Sequence, residues 1–424
     1  MGRYTLAYLS RPCSIPWQSP LAVLLQEVEY NVSEIDYGQL RDDDYPITKK
    51  TIYMNNGAIA PTPLSTIKAM TDFMLTCTEG GPDSPSISDY SMSLLHELRT
   101  RIAHLINCNP EEVVLVQSTT EGLNMVGNGL NWKTGDAIVV RGGRHEHYAN
   151  YLPWVALSQK KGVQLREVAM TDVNGYFDLG QFEKLVKGSK LITLSHVLYN
   201  TGAVMPIEEV GRIAQENDVL FCVDAAQSAG TISVNVKKIG CDFMAFPGFK
   251  WLCGPTGIGV FYCSKKASEI LEPPEIGGES ATLSEQNNIL AYLDMPARLQ
   301  AGFRNFPGAA GLEASLRYIL RIGLERIRRK NMNVANILRE EIAKIPAVKM
   351  YGPDDESKRS SIVTFMPPPK ADPSSLVKQL EQNRIIVAAR DIGGGKKAVR
   401  ATPHFFNSEE EASTIANYVK GLLR

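Results

Sequence analysis

A chain of 424 residues exceeds what one hydrophobic core usually holds, so two domains are expected. The 45 Lys and Arg against 46 Asp and Glu leave a net charge of −1, which gives no electrostatic case for nucleic acid or an anionic membrane as partner. Seven cysteines lie far apart with no Cys-x-x-Cys pair, which points to reduced thiols in a cytoplasmic protein and away from a disulfide framework.

Residues 1–50 read as an irregular or partly helical N-terminal arm. Its first twenty residues hold a weak apolar segment broken by Arg11 and prolines, with no small-residue cleavage site, so no secretory signal is expected. No apolar run anywhere approaches the length that crosses a bilayer. Around 89–106, Leu94, Leu95, Leu98, Ile102 and Leu105 fall on one face of a helix. The chain then alternates. Short β-branched runs ("VVLV", "AIVV", "LITLSH", "VLFCV", "FMAF", "GVFY") are separated by helix-length segments, the pattern of a mainly parallel sheet covered by helices on both faces. After Gly308 the pattern changes to a long helical stretch, expected to be two helices, followed by "SIVTFM", a helix near 374–383, "RIIVAA", "AVRA" and a final helix from "NSEEEAS". The expected organisation is therefore an arm (1–50), a large α/β domain (51–315) and a small α+β domain (316–424), joined between residues 310 and 330.

Three polar groups fall where open α/β sheets gather ligands, beyond strand ends. In "VVLVQSTTEGLNMV", Ser118, Thr119 and Thr120 open a helix, whose free N–H groups and dipole suit a phosphate; taken alone, the motif favours a simple Thr N-cap. In "VLFCVDAAQSAG", Asp224 ends an apolar strand and needs a partner, either a cation of the protein or a cationic ring nitrogen. In "AFPGFKWLCGPTGIG", Lys250 follows a strand and precedes a glycine-rich turn, as a solvated turn lysine or a Schiff-base lysine. Together the three supply what pyridoxal phosphate requires: donors for the phosphate, an acid for the ring nitrogen, and an amine for the aldehyde.

The runs "IYMNNGAIAPTP", "QSTTEGLNMV", "HEHYANYLPW", "VDAAQSAG", "FKWLCGPTGIGVFY", "NFPGAAGLEASL" and "VRATPHFFNSEEE" occur in order over residues 52 to 424. In them the sequence resembles the class V aminotransferase family of fold type I pyridoxal-phosphate enzymes, which includes cysteine desulfurases, selenocysteine lyases and isopenicillin N epimerase. The resemblance implies pyridoxal 5'-phosphate as cofactor, a homodimer with active sites at the subunit interface, and an α-amino acid substrate. It implies that Lys250 forms the Schiff base, Asp224 pairs with the pyridine nitrogen and Gln227 meets the phenolic oxygen. His147 stacks on the ring and assists proton transfer, and Thr119 and Thr120 hold phosphate. Arg400 takes the substrate α-carboxylate, with Arg390 as a second carboxylate contact and Asn56 as a further substrate-binding residue. No metal site is expected, since His145 and His147 lack a third ligand in sequence view.

Three departures stand out. The family's Ser-x-His-Lys is Pro247-Gly248-Phe249-Lys250 here, and its "GTPN" segment is "GFRN", with Phe303 in the threonine position. Arg304 is the expected substitute phosphate donor. The segment "VAARDIGGGKKAVR" carries no cysteine where desulfurases hold the thiol that accepts sulfur. The expected reaction is therefore C–S bond cleavage without a persulfide relay. Transamination and epimerisation are the alternatives within the family, and a degenerate binding or regulatory protein is the alternative outside catalysis.

Overall fold

The computed structural model describes residues 35–142, 145–284 and 289–423. The segment in which no secretory signal is expected, Cys13 and most of the expected arm lie outside the described residues. Residues Tyr37–Arg424 form one compact unit. Among the described residues no helix is long and apolar enough to cross a membrane.

The strands, in chain order, are β1 (Ile52–Tyr53), β2 (Val113–Val116), β3 (Ala137–Arg141), β4 (Gln164–Val168), β5 (Leu191–Ser195), β6 (Leu220–Asp224), β7 (Phe243–Pro247) and β8 (Gly259–Cys263). They continue with β9 (Ala281–Leu283), β10 (Leu290–Tyr292), β11 (Lys349–Tyr351), β12 (Val363–Met366), β13 (Ile385–Ile386), β14 (Ala388–Asp391) and β15 (Lys397–Ala401). Seven make one sheet in the order β2-β8-β7-β6-β5-β3-β4. Only β8 runs against its neighbours β2 and β7; all other pairs are parallel. Strands β3, β5, β7 and β8 are buried along their whole length, which is why they read as unbroken apolar runs and not as alternation. The expected mainly parallel α/β architecture of fold type I is thus the observed one.

The helices form where the spacing predicts. Pro85–Ile106 buries Leu95, Leu98, Ile102 and Leu105, and Ser84 caps it by accepting from the Ile87 N–H. Thr119–Gly129 lies directly on the sheet. A Cβ at Gly122 would sit 2.9 Å from the Ala245 Cβ and 3.2 Å from the Phe261 ring, so this helix approaches β7 and β8 only because position 122 has no side chain. The long C-terminal stretch is indeed two helices, Phe306–Ile322 and Leu324–Ala343, broken at Gly323 with φ 90°.

A second, four-stranded antiparallel sheet has the order β11-β12-β15-β14. Its own apolar cluster includes Val334, Leu338, Phe365, Leu380, Val399 and Ile415, together with Met54 from the other end of the chain. That link is built by β1, which pairs in parallel with β13, and by a bridge between Asn55 and Thr402. Residues 52–57 are thereby clamped against β15, which carries Arg400.

Candidate active site

Because β2, β6 and β7 point the same way, the residues that follow them share one edge of the sheet. The Lys250 loop is a tight turn: the Gly254 N–H donates to the Gly248 carbonyl at 2.8 Å, and the Cys253 N–H to the Lys250 carbonyl at 2.9 Å. Cys253 takes a left-handed φ of 55° to close it. The Phe249 carbonyl accepts from the Ala60 N–H at 2.9 Å, so the residue next to the lysine is spent on backbone pairing.

Lys250 is partly buried. Burial pushes its amine down to about 8; Asp224 opposes the shift, and the charges of Arg400 and Arg390 add to it. Asp224 is 4% exposed, and its Oδ1 accepts from the Ala226 N–H at 2.8 Å. Burial lifts its carboxyl to about 6 against the pull of that N–H and of Lys250. Asp224 has no ion pair within the protein among the described residues. At the end of β2, Ser118 caps the helix Thr119–Gly129 by accepting from the Glu121 N–H at 3.3 Å. The N–H groups of Thr119 and Thr120, one step earlier, find no acceptor among the described residues, which is the donor arrangement an anion takes at a helix N-terminus.

Next along the edge, β3 leads into His145-Glu146-His147. Glu146 is 2% exposed and is the hub of this corner. It accepts from the Arg141 Nε at 3.1 Å, the Asn150 Nδ2 at 3.1 Å, the Ser195 N–H at 3.1 Å and the Ser195 hydroxyl. Ser195 lies opposite Asp224 in the β5–β6 register, so the same carboxylate braces both the His147 segment and the strand end that carries Asp224. His147 caps the short helix Tyr148–Asn150, its Nδ1 accepting from the Ala149 N–H at 3.2 Å. The neutral ring therefore carries its proton on Nε2. Although the residue is exposed overall, the desolvated ring is pushed to about 4, with Lys250, Arg400 and Arg390 adding to the shift. The edge of Tyr199 meets it at 5.1 Å and 89°.

Arg400 is 1% exposed and has no ion pair among the described residues. Its Nη1 donates to the Tyr199 carbonyl at 2.7 Å and its Nη2 to the Asn55 Oδ1 at 3.3 Å, while its buried Nε has no partner. Desolvation draws its pKa down to about 9, and Arg390 adds to the fall. A buried guanidinium without a carboxylate is costly, and an incoming carboxylate relieves that cost.

The remaining expected residues are distributed less simply. Gln227 is 4% exposed; its Nε2 donates to the Gly57 carbonyl at 2.8 Å, and its Oε1 accepts from the Trp251 indole at 2.9 Å. Asn56 is fully buried, and its amide donates to the Thr402 carbonyl at 2.7 Å. The amide that reaches Arg400 belongs to Asn55. Arg304 pairs with Glu279 at 2.5 Å and lines a cavity of about 220 Å³ with Gln117, Glu121 and Phe303. Neither Lys250 nor Asp224 lines that cavity. Sequence reading passed over Asn55, Tyr199, Glu146 and Trp251. Asn55, Glu146 and Trp251 were signalled only by their sequence neighbours Asn56, His147 and Lys250, and Tyr199 by nothing.

The family model described as Aminotransferase class-V matches residues 52–412. The chain belongs to that family. A relative of this class-V chain, a probable cysteine desulfurase of Pyrococcus abyssi, is 34% identical over 397 residues, covering 90% of this chain and 96% of the relative. The solved apo structure of a cysteine desulfurase from Thermococcus onnurineus NA1 superposes with a TM-score of 0.86 at 34% identity, covering 92% of this chain and 99% of that one. The cystine C–S lyase C-DES, in complex with its product cysteine persulfide, superposes with a TM-score of 0.82. Its 24% identity speaks to fold alone, over 89% of this chain and 99% of that one.

The protein is accordingly a pyridoxal 5'-phosphate-dependent enzyme of the class-V family. Its residues fit that cofactor. Asp224 is a buried carboxylate with no protein cation paired to it, the Thr119 and Thr120 amides await an anion, and Lys250 is an amine tuned toward neutrality.

Proposed function

We propose that this enzyme cleaves the C–S bond of an S-substituted cysteine, releasing the thiol directly. Lys250 would hold the cofactor, Asp224 its ring nitrogen, Gln227 its phenolic oxygen, and Thr119 and Thr120 its phosphate, with His147 against the ring. When bound, the cofactor supplies the electron sink that acidifies the substrate Cα–H. Arg400, aligned by Asn55, binds the α-carboxylate and presents that Cα–H to Lys250. The observation that carries the reading is Arg400: a buried cation with an unpartnered Nε, reaching from β15 to the Tyr199 carbonyl and felt by Lys250.

The amine of Lys250 takes the Cα proton. The electron pair left on Cα forms the Cα–Cβ double bond as the Cβ–S bond breaks, and the sulfur leaves with its pair as a thiolate. The Nε2–H of His147 is the donor that meets this thiolate. Released 2-aminoacrylate takes up water to give pyruvate and ammonia.

Direct release is supported by the buried thiols: burial pushes Cys222, Cys241, Cys253 and Cys263 up, Cys253 to about 12, so none of these four supplies a thiolate to accept sulfur. None lies in the segment 388–400. The proposal further includes a cytoplasmic homodimer and a division into a large domain (51–315) and a small one (316–424). Dimerisation is supported by exposed apolar side chains: Leu64, Ile67, Met74 and Leu75 on the helix Leu64–Gly80, and Phe303 at 86% exposure. Arg304 is assigned to the rim of a phosphate site, and Asn56 to holding residues 55–57 in register.

The test is to incubate cofactor-loaded protein with S-methyl-L-cysteine and quantify products. Pyruvate, ammonia and methanethiol in equal amounts are expected. A keto acid that retains the sulfur would replace this reading with transamination.

A further inference from the structure

One charged side chain on the active-site edge has no task in the reaction above. Arg390 lies on β14, whose antiparallel pairing with β15 sets Ala388 opposite Arg400 and Arg390 opposite Ala398. Side chains two apart share a face, so Arg390 and Arg400 are diagonal neighbours on one face of the sheet, roughly 7–8 Å apart at the backbone. The Arg390 guanidinium makes one hydrogen bond, from Nη1 to the carbonyl of Ala389 at 3.1 Å, and no ion pair among the described residues. Its charge is felt by Lys250, His147 and Arg400 alike.

Lys250, Arg390 and Arg400 thus all bear on His147, while among these three cations Asp224 is felt by Lys250 alone. In the proposed function Asp224 is claimed by the ring nitrogen, the phosphate by the Thr119 helix, and the α-carboxylate by Arg400. Arg390 is the cation left over. The turn that follows it holds three glycines, Gly393, Gly394 and Gly395, all with left-handed φ, of 98°, 61° and 73°. A Cβ at Gly394 or Gly395 would meet nothing within 4 Å, so the chain next to Arg390 leaves open space where side chains would otherwise project.

We propose that Arg390 recognises a second anion, and that the preferred substrate is a cysteine thioether whose departing thiol carries a carboxylate. This rests on the assignment of Lys250, Asp224 and Arg400 made above. Arg400 takes the α-carboxylate and Arg390 the distal one, so that the C–S bond is stretched between two fixed charges.

The test compares S-carboxymethyl-L-cysteine with S-carbamoylmethyl-L-cysteine, which are near-isosteric and differ in charge. Dissociation constants are read by stopped flow from the visible absorbance change of cofactor-loaded protein before turnover. The carboxylate is expected to bind at least about tenfold more tightly, the scale of one charge-assisted hydrogen bond. Arg390→Gln abolishes this preference while leaving the neutral ligand within about twofold. Arg390→Lys, with absorbance matching the parent as a check of folding, keeps part of it. Equal binding of the pair by the parent overturns the inference while leaving the proposed function standing. Equal weakening of both ligands in Arg390→Gln overturns it too, since Arg390 would then share the α-carboxylate with Arg400. If neither ligand changes the absorbance, the proposed function fails and the inference with it.

Discussion

In the proposed function Lys250 captures the cofactor; an amine must be neutral to attack an aldehyde, so its pKa would set the pH dependence of that capture. Burial, aided by Arg400 and Arg390, brings the amine from its ordinary 10.5 to about 8. At pH 7 about one amine in ten is then neutral, against about one in three thousand for an unperturbed lysine. Capture of pyridoxal 5'-phosphate by cofactor-free protein should therefore quicken about tenfold per pH unit from pH 6 to near 8, then level off. Arg400→Gln removes a like charge, which raises the lysine pKa and moves the midpoint up. Asp224→Asn removes the opposing carboxylate and moves it down. The assay is the growth of visible absorbance at several pH values for the three proteins. A midpoint at 10 or above, or a profile flat from pH 6 to 9, would refute the argument that this pocket desolvates its lysine.

Two stability measurements probe the scaffold behind the site. Replacing glycine by alanine inside a helix usually stabilises, by up to about 1 kcal/mol. Gly122→Ala should do the opposite, because the added Cβ lies 2.9 Å from the Ala245 Cβ, and a loss of about 1–3 kcal/mol is expected in thermal unfolding. A gain would mean that the helix can move away from β7. Glu146→Ala strands the buried Arg141 guanidinium and should cost roughly 3–5 kcal/mol in urea unfolding. A loss below 1 kcal/mol would show that Glu146 is no hub.

The sequence by itself determined the elements and their order. Fully apolar strands, period-3.6 helices and glycine-marked breaks are local signals, and β5 through β8 and the break at Gly323 fall where those signals lie. It also placed Lys250, Asp224 and Thr119 beyond strand ends, because strand polarity follows from the alternation of strands and helices. What it left open were choices between neighbours and between distant partners. "Asn55-Asn56" offers two identical amides. The parallel β1–β13 pair and the bridge to Thr402 turn Asn55 toward Arg400 and bury Asn56, a contact 345 residues away along the chain. Arg304 was expected at a phosphate, yet within this chain it meets Glu279, and nothing in "GFRN" announces that carboxylate. Trp251 reads as a core aromatic and turns out to orient Gln227 through its indole N–H. Local propensity acts over a few residues, whereas hydrogen bonds and charges are selected by whatever the folded chain brings within 3 Å. The elements were therefore legible in the sequence, and the partners of Arg400, Gln227 and Arg304 were decided only by the tertiary structure.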